Sequence, residues 1–257
     1  MEAGENHPIL VTGGTGTLGR LVVARLRAQT GRELRVLTRR DGQAPDGVKF
    51  VTGDLATGEK LGLSVDGAET ILHLAGSSKG DEDKARRLVD AAAKAGTSHL
   101  VYISVVGSDR IPVDSGVDRA MFGYFAAKHA AERLVAESGV PFTTLRATQL
   151  HDLMLTVAQQ MSKLPVMPVP SGFRFQPIDA GEVADRLVEL ALGSPAGLVP
   201  DMGGPRVYRM ADLVRGYLRS AGKRRLLVPF PVPSRAARAF RDGANLALDR
   251  AVGQVTW

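Results

Sequence analysis

Tyr124 and Lys128 are separated by Phe-Ala-Ala in a stretch whose pattern predicts a helix from about Met121 to Glu137. Residues four apart share a helix face, so Lys128 can stand beside Tyr124. A neighbouring positive charge favours the phenolate and lowers the phenol's pKa. A tyrosine tuned in this way can donate or take the proton that accompanies hydride transfer at a carbon–oxygen bond. Lys128 can also hold a ribose. Ser104, just after a predicted strand at Leu100 to Ile103, supplies a hydroxyl to hydrogen-bond a substrate oxygen. Tyr-x-x-x-Lys also arises by chance on surface helices, so its meaning depends on what accompanies it.

It is accompanied by Ile9-Leu-Val-Thr-Gly-Gly-Thr-Gly-Thr-Leu-Gly-Arg20, an apolar strand, a glycine turn and the start of a helix. Gly13 lets the chain leave the strand through a conformation barred to residues with a side chain. Gly16 admits a pyrophosphate to the backbone, and Gly19 lets the helix pack close to the sheet. The helix start offers free N–H groups and a favourable dipole to the anion. Gly13, Thr15, Gly16, Thr17, Leu18 and Gly19 are therefore the expected phosphate cradle.

The second predicted strand, Glu33 to Thr38, runs into Arg39-Arg40. Two guanidiniums there suit a 2′-phosphate by charge and fork geometry. NADP(H) is the preferred cofactor on this reading, and NAD(H) remains possible because Asp41 can face a ribose. Asp54 and Leu55 follow a third strand at Val48 to Val51, where a carboxylate can accept from the adenine amino group and Leu55 can lie against the ring. Ala75 and Gly76 follow a fourth strand at Thr70 to Leu74 and are small enough to let the cofactor cross the sheet edge.

Positioning these residues requires strands alternating with helices. A helix at Asp81 to Ala95 and a sixth strand at Phe142 to Leu145 continue the series. Consecutive parallel strands need crossovers, so the pattern predicts an α/β, Rossmann-type, doubly wound parallel sheet. Beyond Arg146 the reading is of helices at 151–163, Asp179 to Leu192, Met210 to Ala221 and Ala236 to Val252. A proline-rich loop with short strands occupies 164–178, and Leu198 to Met202 return to the sheet. No linker divides the chain, so residues 1–257 are read as one domain. Residues 151–178 and 203–257 are expected to form a small substrate-covering part. Gln149 and His151, after the sixth strand, are candidate substrate contacts, with Arg206 and Tyr208 as further candidates for the same cleft. Phe173, Phe175, Met154, Met161 and Met167 suit either an apolar pocket or core packing.

The chain has 33 Lys and Arg, 27 Asp and Glu, and a formal net charge of +6. Its basic clusters lack an aromatic-interleaved stripe or DNA-binding motif, so no nucleic-acid partner is expected. There is no cysteine, which excludes disulfides and thiolate sites, and the five histidines lack metal-ligand spacing. No membrane span or signal peptide is evident, which makes the cytoplasm the expected location. A small-molecule substrate is the expected partner; monomer and homodimer are both open.

The motifs Val11-Thr-Gly-Gly-Thr-Gly-Thr-Leu-Gly19, Gly53-Asp54-Leu55, His73-Leu-Ala75, Tyr102-Ile-Ser104, Tyr124-x3-Lys128-x3-Glu132 and Leu145-Arg146 together resemble the short-chain dehydrogenase/reductase superfamily. More narrowly the chain resembles its atypical and extended branch, with NmrA-like and sugar-nucleotide-epimerase-like proteins. The resemblance runs from residue 8 to about residue 193. It implies a Rossmann-type fold with NAD(P) across the strand ends and Ser104, Tyr124 and Lys128 as the catalytic set. The expected activity is NAD(P)H-dependent hydride transfer to or from a carbonyl, alcohol, quinone or conjugated substrate. The alternatives are an NmrA-like NADP(H) sensor without turnover and a nucleotide-sugar epimerase or dehydratase.

Overall fold

The computed structural model describes residues 7–39, 42–76 and 80–257. In chain order the elements are β1 (Ile9–Thr12), α1 (Thr17–Gln29), β2 (Leu34–Thr38), β3 (Val48–Thr52), α2 (Leu61–Val65), β4 (Thr70–His73), α3 (Asp81–Lys94), β5 (His99–Val105), α4 (Gly116–Ala136) and β6 (Phe142–Ala147). They continue with α5 (His151–Met161), β7 (Val166–Pro170), β8 (Arg174–Phe175), α6 (Ala180–Leu192), β9 (Gly197–Leu198), β10 (Tyr208–Arg209), α7 (Met210–Ser220), β11 (Leu226–Phe230) and α8 (Arg235–Asp242). Two compact units emerge. The first comprises Met1–Ser104, Ala127–Leu145 and Gly181–Val199; the second comprises Val105–Ala126, Arg146–Ala180 and Pro200–Trp257.

In the first unit the apolar residues of β1 are 0% exposed, as a central strand covered on both faces requires. Among the described residues the sheet runs β3-β2-β1-β4-β5-β6-β9. Ile9 pairs in parallel with Leu34 on one side and with Thr70 on the other. The strand order therefore reverses between β1 and β4, and such a reversal opens a crevice beyond the carboxyl ends of the strands. Helix α3 buries Asp81, Ala85, Leu88, Val89 and Ala92, one stripe at helical spacing, against a core that includes Leu10, Ile71, Leu100 and Tyr102. The parallel α/β fold expected from the sequence is the fold observed.

The second unit packs Phe122, Phe125, Phe173 and Phe240 with Met167, Met210 and Val214. Here Phe173 and Met167 are core residues. Strand β7 pairs in parallel with β11, and β8 antiparallel with β10. The buried Gln176 amide ties three segments: it donates to the Gly204 carbonyl (2.8 Å) and accepts from the Ala247 N–H (2.8 Å).

Several boundaries differ from the sequence expectations, each for a local reason. Helix α4 starts at Gly116, five residues before Met121, because Ser115 and Asp118 form a reciprocal cap. The Asp118 N–H donates to Ser115 Oγ (3.0 Å) and the Ser115 N–H to Asp118 Oδ2 (3.2 Å). The basic helix expected to reach Val252 stops at Asp242, where Gly243 takes a left-handed conformation at φ 94°. Strand β5 continues through Val105, so Ser104 lies within it.

Gly13 has φ +71°, and a Cβ placed there would lie 2.6 Å from the Ala75 nitrogen. Gly13→Ala is therefore expected to destabilise the protein by about 1–3 kcal/mol in urea unfolding. A loss below about 0.5 kcal/mol would show that this crossing is not tight.

Candidate functional site

The turn after β1 is built by glycine at two crowded points. Besides the crossing with Ala75, a Cβ at Gly19 would meet Gly14 Cα at 2.7 Å, so only glycine lets α1 start this close to the strand. The Gly16 N–H donates to the Gly13 carbonyl (3.0 Å), and the Arg20 N–H returns to the Gly16 carbonyl (2.9 Å). Thr15, Gly16 and Thr17 are exposed, with Leu18 half-buried behind them. The start of α1 thus presents first-turn N–H groups that the helix itself does not satisfy.

At the other cofactor positions, Arg39 is exposed at the end of β2, while Arg40 and Asp41 lie outside the described residues. Asp54 Oδ1 accepts from the Ala56 N–H (2.7 Å), a turn-stabilising contact, and Leu55 packs into the core at 8% exposure. Ala75 is half-buried and Gly76 exposed beyond the end of β4.

Beneath Gly76 lies a buried polar cluster. A Cβ on Gly76 would come within 3.4 Å of Lys128 Nζ and 3.5 Å of Asp81 Oδ2. Lys128 and Asp81 are each 3% exposed and lie 3.6 Å apart, nitrogen to oxygen. Lys128 also donates to the Ile103 carbonyl (3.2 Å), and its ammonium sits 4.9 Å from the centre of the Tyr102 ring. Burial pulls its pKa below the ordinary lysine range, while the charge of Asp81 and its hydrogen bond pull it back up. The His73 ring stacks on Tyr102 at 5.5 Å between centres, with Nδ1 2.7 Å from Thr12 Oγ1. Burial first, then the charges of Lys128 and Lys84, push the His73 imidazole down to about 3, so it is neutral.

Ser104 is 5% exposed and its hydroxyl is buried with no hydrogen-bond partner among the described residues. Sequence reasoning found Lys128 and Ser104 but assigned no role to Asp81, His73 or Thr12. A signal for Asp81 existed: it falls in register with the apolar stripe Ala85, Leu88, Val89 and Ala92, a carboxylate on a face that must be buried.

The second unit holds Tyr124, Gln149 and His151. Tyr124 is 37% exposed and meets Phe125 edge-on at 5.9 Å. Gln149 is 6% exposed with both amide atoms lacking hydrogen-bond partners among the described residues, and His151 Nε2 is likewise buried without one. The His151 ring meets Trp257 edge-on at 6.0 Å. Arg206 is exposed and Tyr208 half-buried on β10. Among the described residues no group of three or more His, Asp or Glu could hold a metal ion, and no helix is long and apolar enough to cross a membrane.

A family model described as NAD(P)H-binding matches residues 13–192, from the glycine turn to the end of α6. The chain belongs to the NAD(P)H-binding family. The ceramide reductase of Caulobacter vibrioides is 30% identical over 244 residues, 88% of this chain and 74% of that protein. A (4-alkanoyl-5-oxo-2,5-dihydrofuran-3-yl)methyl phosphate reductase of Streptomyces griseus is 31% identical over 141 residues; the match spans 54% of this chain and less than half, 46%, of that relative. Among solved structures, an NADPH-dependent quinone oxidoreductase of Escherichia coli with NADPH superposes at TM-score 0.73 and 20% identity, covering 92% of this chain and 87% of that one. A UDP-glucose 4-epimerase of Thermus thermophilus with NAD gives 0.68 and 20%, covering 96% and 100%. The solved structures establish a shared fold; the named relatives mark the family as reductase-like.

His73 links the cluster to pH. In the unfolded chain an imidazole titrates near about 6.5, whereas in the fold it titrates near 3. Its stabilising contribution is complete above about pH 6.5 and is lost progressively as pH falls toward 3, by up to about 1.4 kcal/mol per pH unit. His73→Gln is expected to flatten the pH dependence of urea unfolding between about pH 6 and 4. The same slope in the variant would mean that other groups carry it.

Proposed function

We propose that the protein is an NADP(H)-preferring oxidoreductase that passes hydride between nicotinamide and a small carbonyl, alcohol, quinone or conjugated substrate. The observation that carries this reading is Lys128, buried beneath the exposed Gly76 and one helical turn after the part-exposed Tyr124 on α4. In this reading the cradle from Gly13 through Thr15, Gly16, Thr17, Leu18 and Gly19 holds the pyrophosphate. Arg39 with Arg40 takes the 2′-phosphate, Asp54 and Leu55 serve the adenine end, and Ala75 and Gly76 let the cofactor cross the sheet edge.

The cofactor, when bound, supplies or accepts the hydride. Tyr124 moves the accompanying proton at its phenol oxygen. Lys128 holds the ribose and, as an ammonium, favours the phenolate. The Ser104 hydroxyl, buried without a partner among the described residues, is available to donate to the substrate oxygen. Gln149 and His151 carry buried polar atoms without hydrogen-bond partners, which supports them as substrate contacts in need of a polar ligand. Residues 151–178 and 203–257 fall in the second unit, consistent with their proposed role in substrate selection. The reductase relatives support the direction of the chemistry, while the identity of the substrate stays a matter of class.

Arg39→Ala is expected to weaken NADPH binding by about 10- to 100-fold in calorimetry, because a charged hydrogen bond is lost, and to leave NADH nearly unchanged. Equal losses for both nucleotides reject the 2′-phosphate role. Tyr124→Phe is expected to lower turnover by about 10²- to 10⁴-fold with NADPH affinity retained, read in a panel of quinones, ketones and aldehydes. Tight NADPH binding with no turnover by the unaltered protein across that panel favours a nucleotide sensor instead.

A further inference from the structure

Asp81 stands where a helix of this pattern should carry an apolar side chain. It extends the buried stripe of α3 by one turn, and the three acids Asp81, Glu82 and Asp83 share the first turn, where a carboxylate is favoured by the helix dipole. Dipole stabilisation works on exposed carboxylates too, so it does not explain why this one is 3% exposed. Nor does stability: a buried ion pair commonly gains little over apolar side chains of the same volume, because both charges lose their hydration. What distinguishes Asp81 is its place, against Lys128 and directly under Gly76 at the open end of β4.

We propose that Asp81 is a positioning residue, whose buried carboxylate keeps Lys128 an ammonium and fixes it under Gly76 at the sheet edge. The proposal rests on the reading of Lys128 as the lysine that holds the ribose and tunes the phenol. Contacts converge on its nitrogen from separate elements: Asp81 from α3, the Ile103 carbonyl from β5, and the face of the Tyr102 ring. Among the described residues, other charged or titratable groups bearing on it include Lys84 of α3, which also approaches Asp81 at 3.9 Å, Glu132 of α4, and neutral His73 of β4. Lys84 opposes the ammonium, whereas Glu132 favours it more weakly than Asp81 does. Without the Asp81 charge, burial of Lys128 would favour the neutral amine, which can neither favour a phenolate nor keep its place by charge.

Lysine labelled with ¹³C at Cε reports the charge of Lys128 directly, its signal assigned by loss in Lys128→Arg. The whole chain is titrated without nucleotide, so this readout does not depend on turnover. In Asp81→Asn the Lys128 midpoint is expected to fall by about one pH unit or more, with Asp81→Glu restoring most of the shift. Where a carbonyl or quinone substrate is turned over, the basic limb of the kcat/KM profile should move down with it. A folded Asp81→Asn protein with an unchanged Lys128 midpoint overturns the proposal. If Asp81→Asn does not fold, the unaltered protein decides: Lys128 charged at about pH 8 upholds the pairing, and a neutral amine there overturns it. A shifted midpoint with no effect on the pH profile of an active enzyme upholds the ion pair but overturns the positioning role. If no nucleotide-dependent turnover is found in any variant, the catalytic reading of Lys128 fails, and the titration still decides the pairing.

Discussion

The close crossing of Gly13 and Ala75 is the constraint from which the nucleotide-binding end of the first unit follows. A side chain on Gly13 would run into the backbone at Ala75, 2.6 Å from its nitrogen. Because the crossing is side-chain-free, β1 and β4 stay paired up to their last residues, and Thr12 closes the join. Its carbonyl accepts from the Leu74 N–H (3.1 Å), and its hydroxyl lies within hydrogen-bond reach of His73 Nδ1 (2.7 Å). The sheet reverses its strand order at that point, so the crevice and the start of α1 face the same side. Family membership, matched from residue 13 onward, begins at this turn.

Just below the crossing the first unit buries charge instead of excluding it. An ion moved into a dry interior loses several kcal/mol of hydration, so a lone Lys128 would be expected to give up its proton. Asp81, the Ile103 carbonyl and the Tyr102 ring oppose that loss. The same burial acts in the opposite sense on His73, which has no buried carboxylate partner among its influences and stays neutral beside two lysines. Tyr102 meets both groups, the ammonium over its ring and the imidazole by stacking. Burial pulls both bases toward their neutral forms, and on Lys128 the charge and hydrogen bond of Asp81 work against that pull.

The second unit follows a different logic. Its core is an aromatic cluster around Phe240, joined by the Gln176 amide and not by a continuous sheet. Its short strands take part in two-stranded pairings, so each residue depends on contacts distant in sequence. Among the described residues the amide atoms of Gln149 and the Nε2 atom of His151 are buried without hydrogen-bond partners, as is Asn245 Oδ1. Buried polar groups ordinarily find partners, and one left without a partner carries a desolvation cost.

The sequence by itself determined the parallel α/β architecture, the glycine turn and the places of Tyr124, Lys128 and Ser104 in the chain. These are written in local code: strand runs, a glycine spacing tied to backbone crowding, and a four-residue helical repeat. The start of α4 was also written locally, in the Ser115–Asp118 cap, but it lay hidden in a loop-like composition. The stop at Gly243 was a single glycine inside a basic amphipathic run, where sequence periodicity argued for continuation. Tertiary structure alone decided that Asp81 meets Lys128, that Leu55 packs into the core, and that Gln176 staples the second unit. Those facts depend on which faces of separate elements meet, and the energy that selects them comes from burial and pairing between residues far apart in the chain. Local spacing specifies an element and its face; only packing specifies what that face finds.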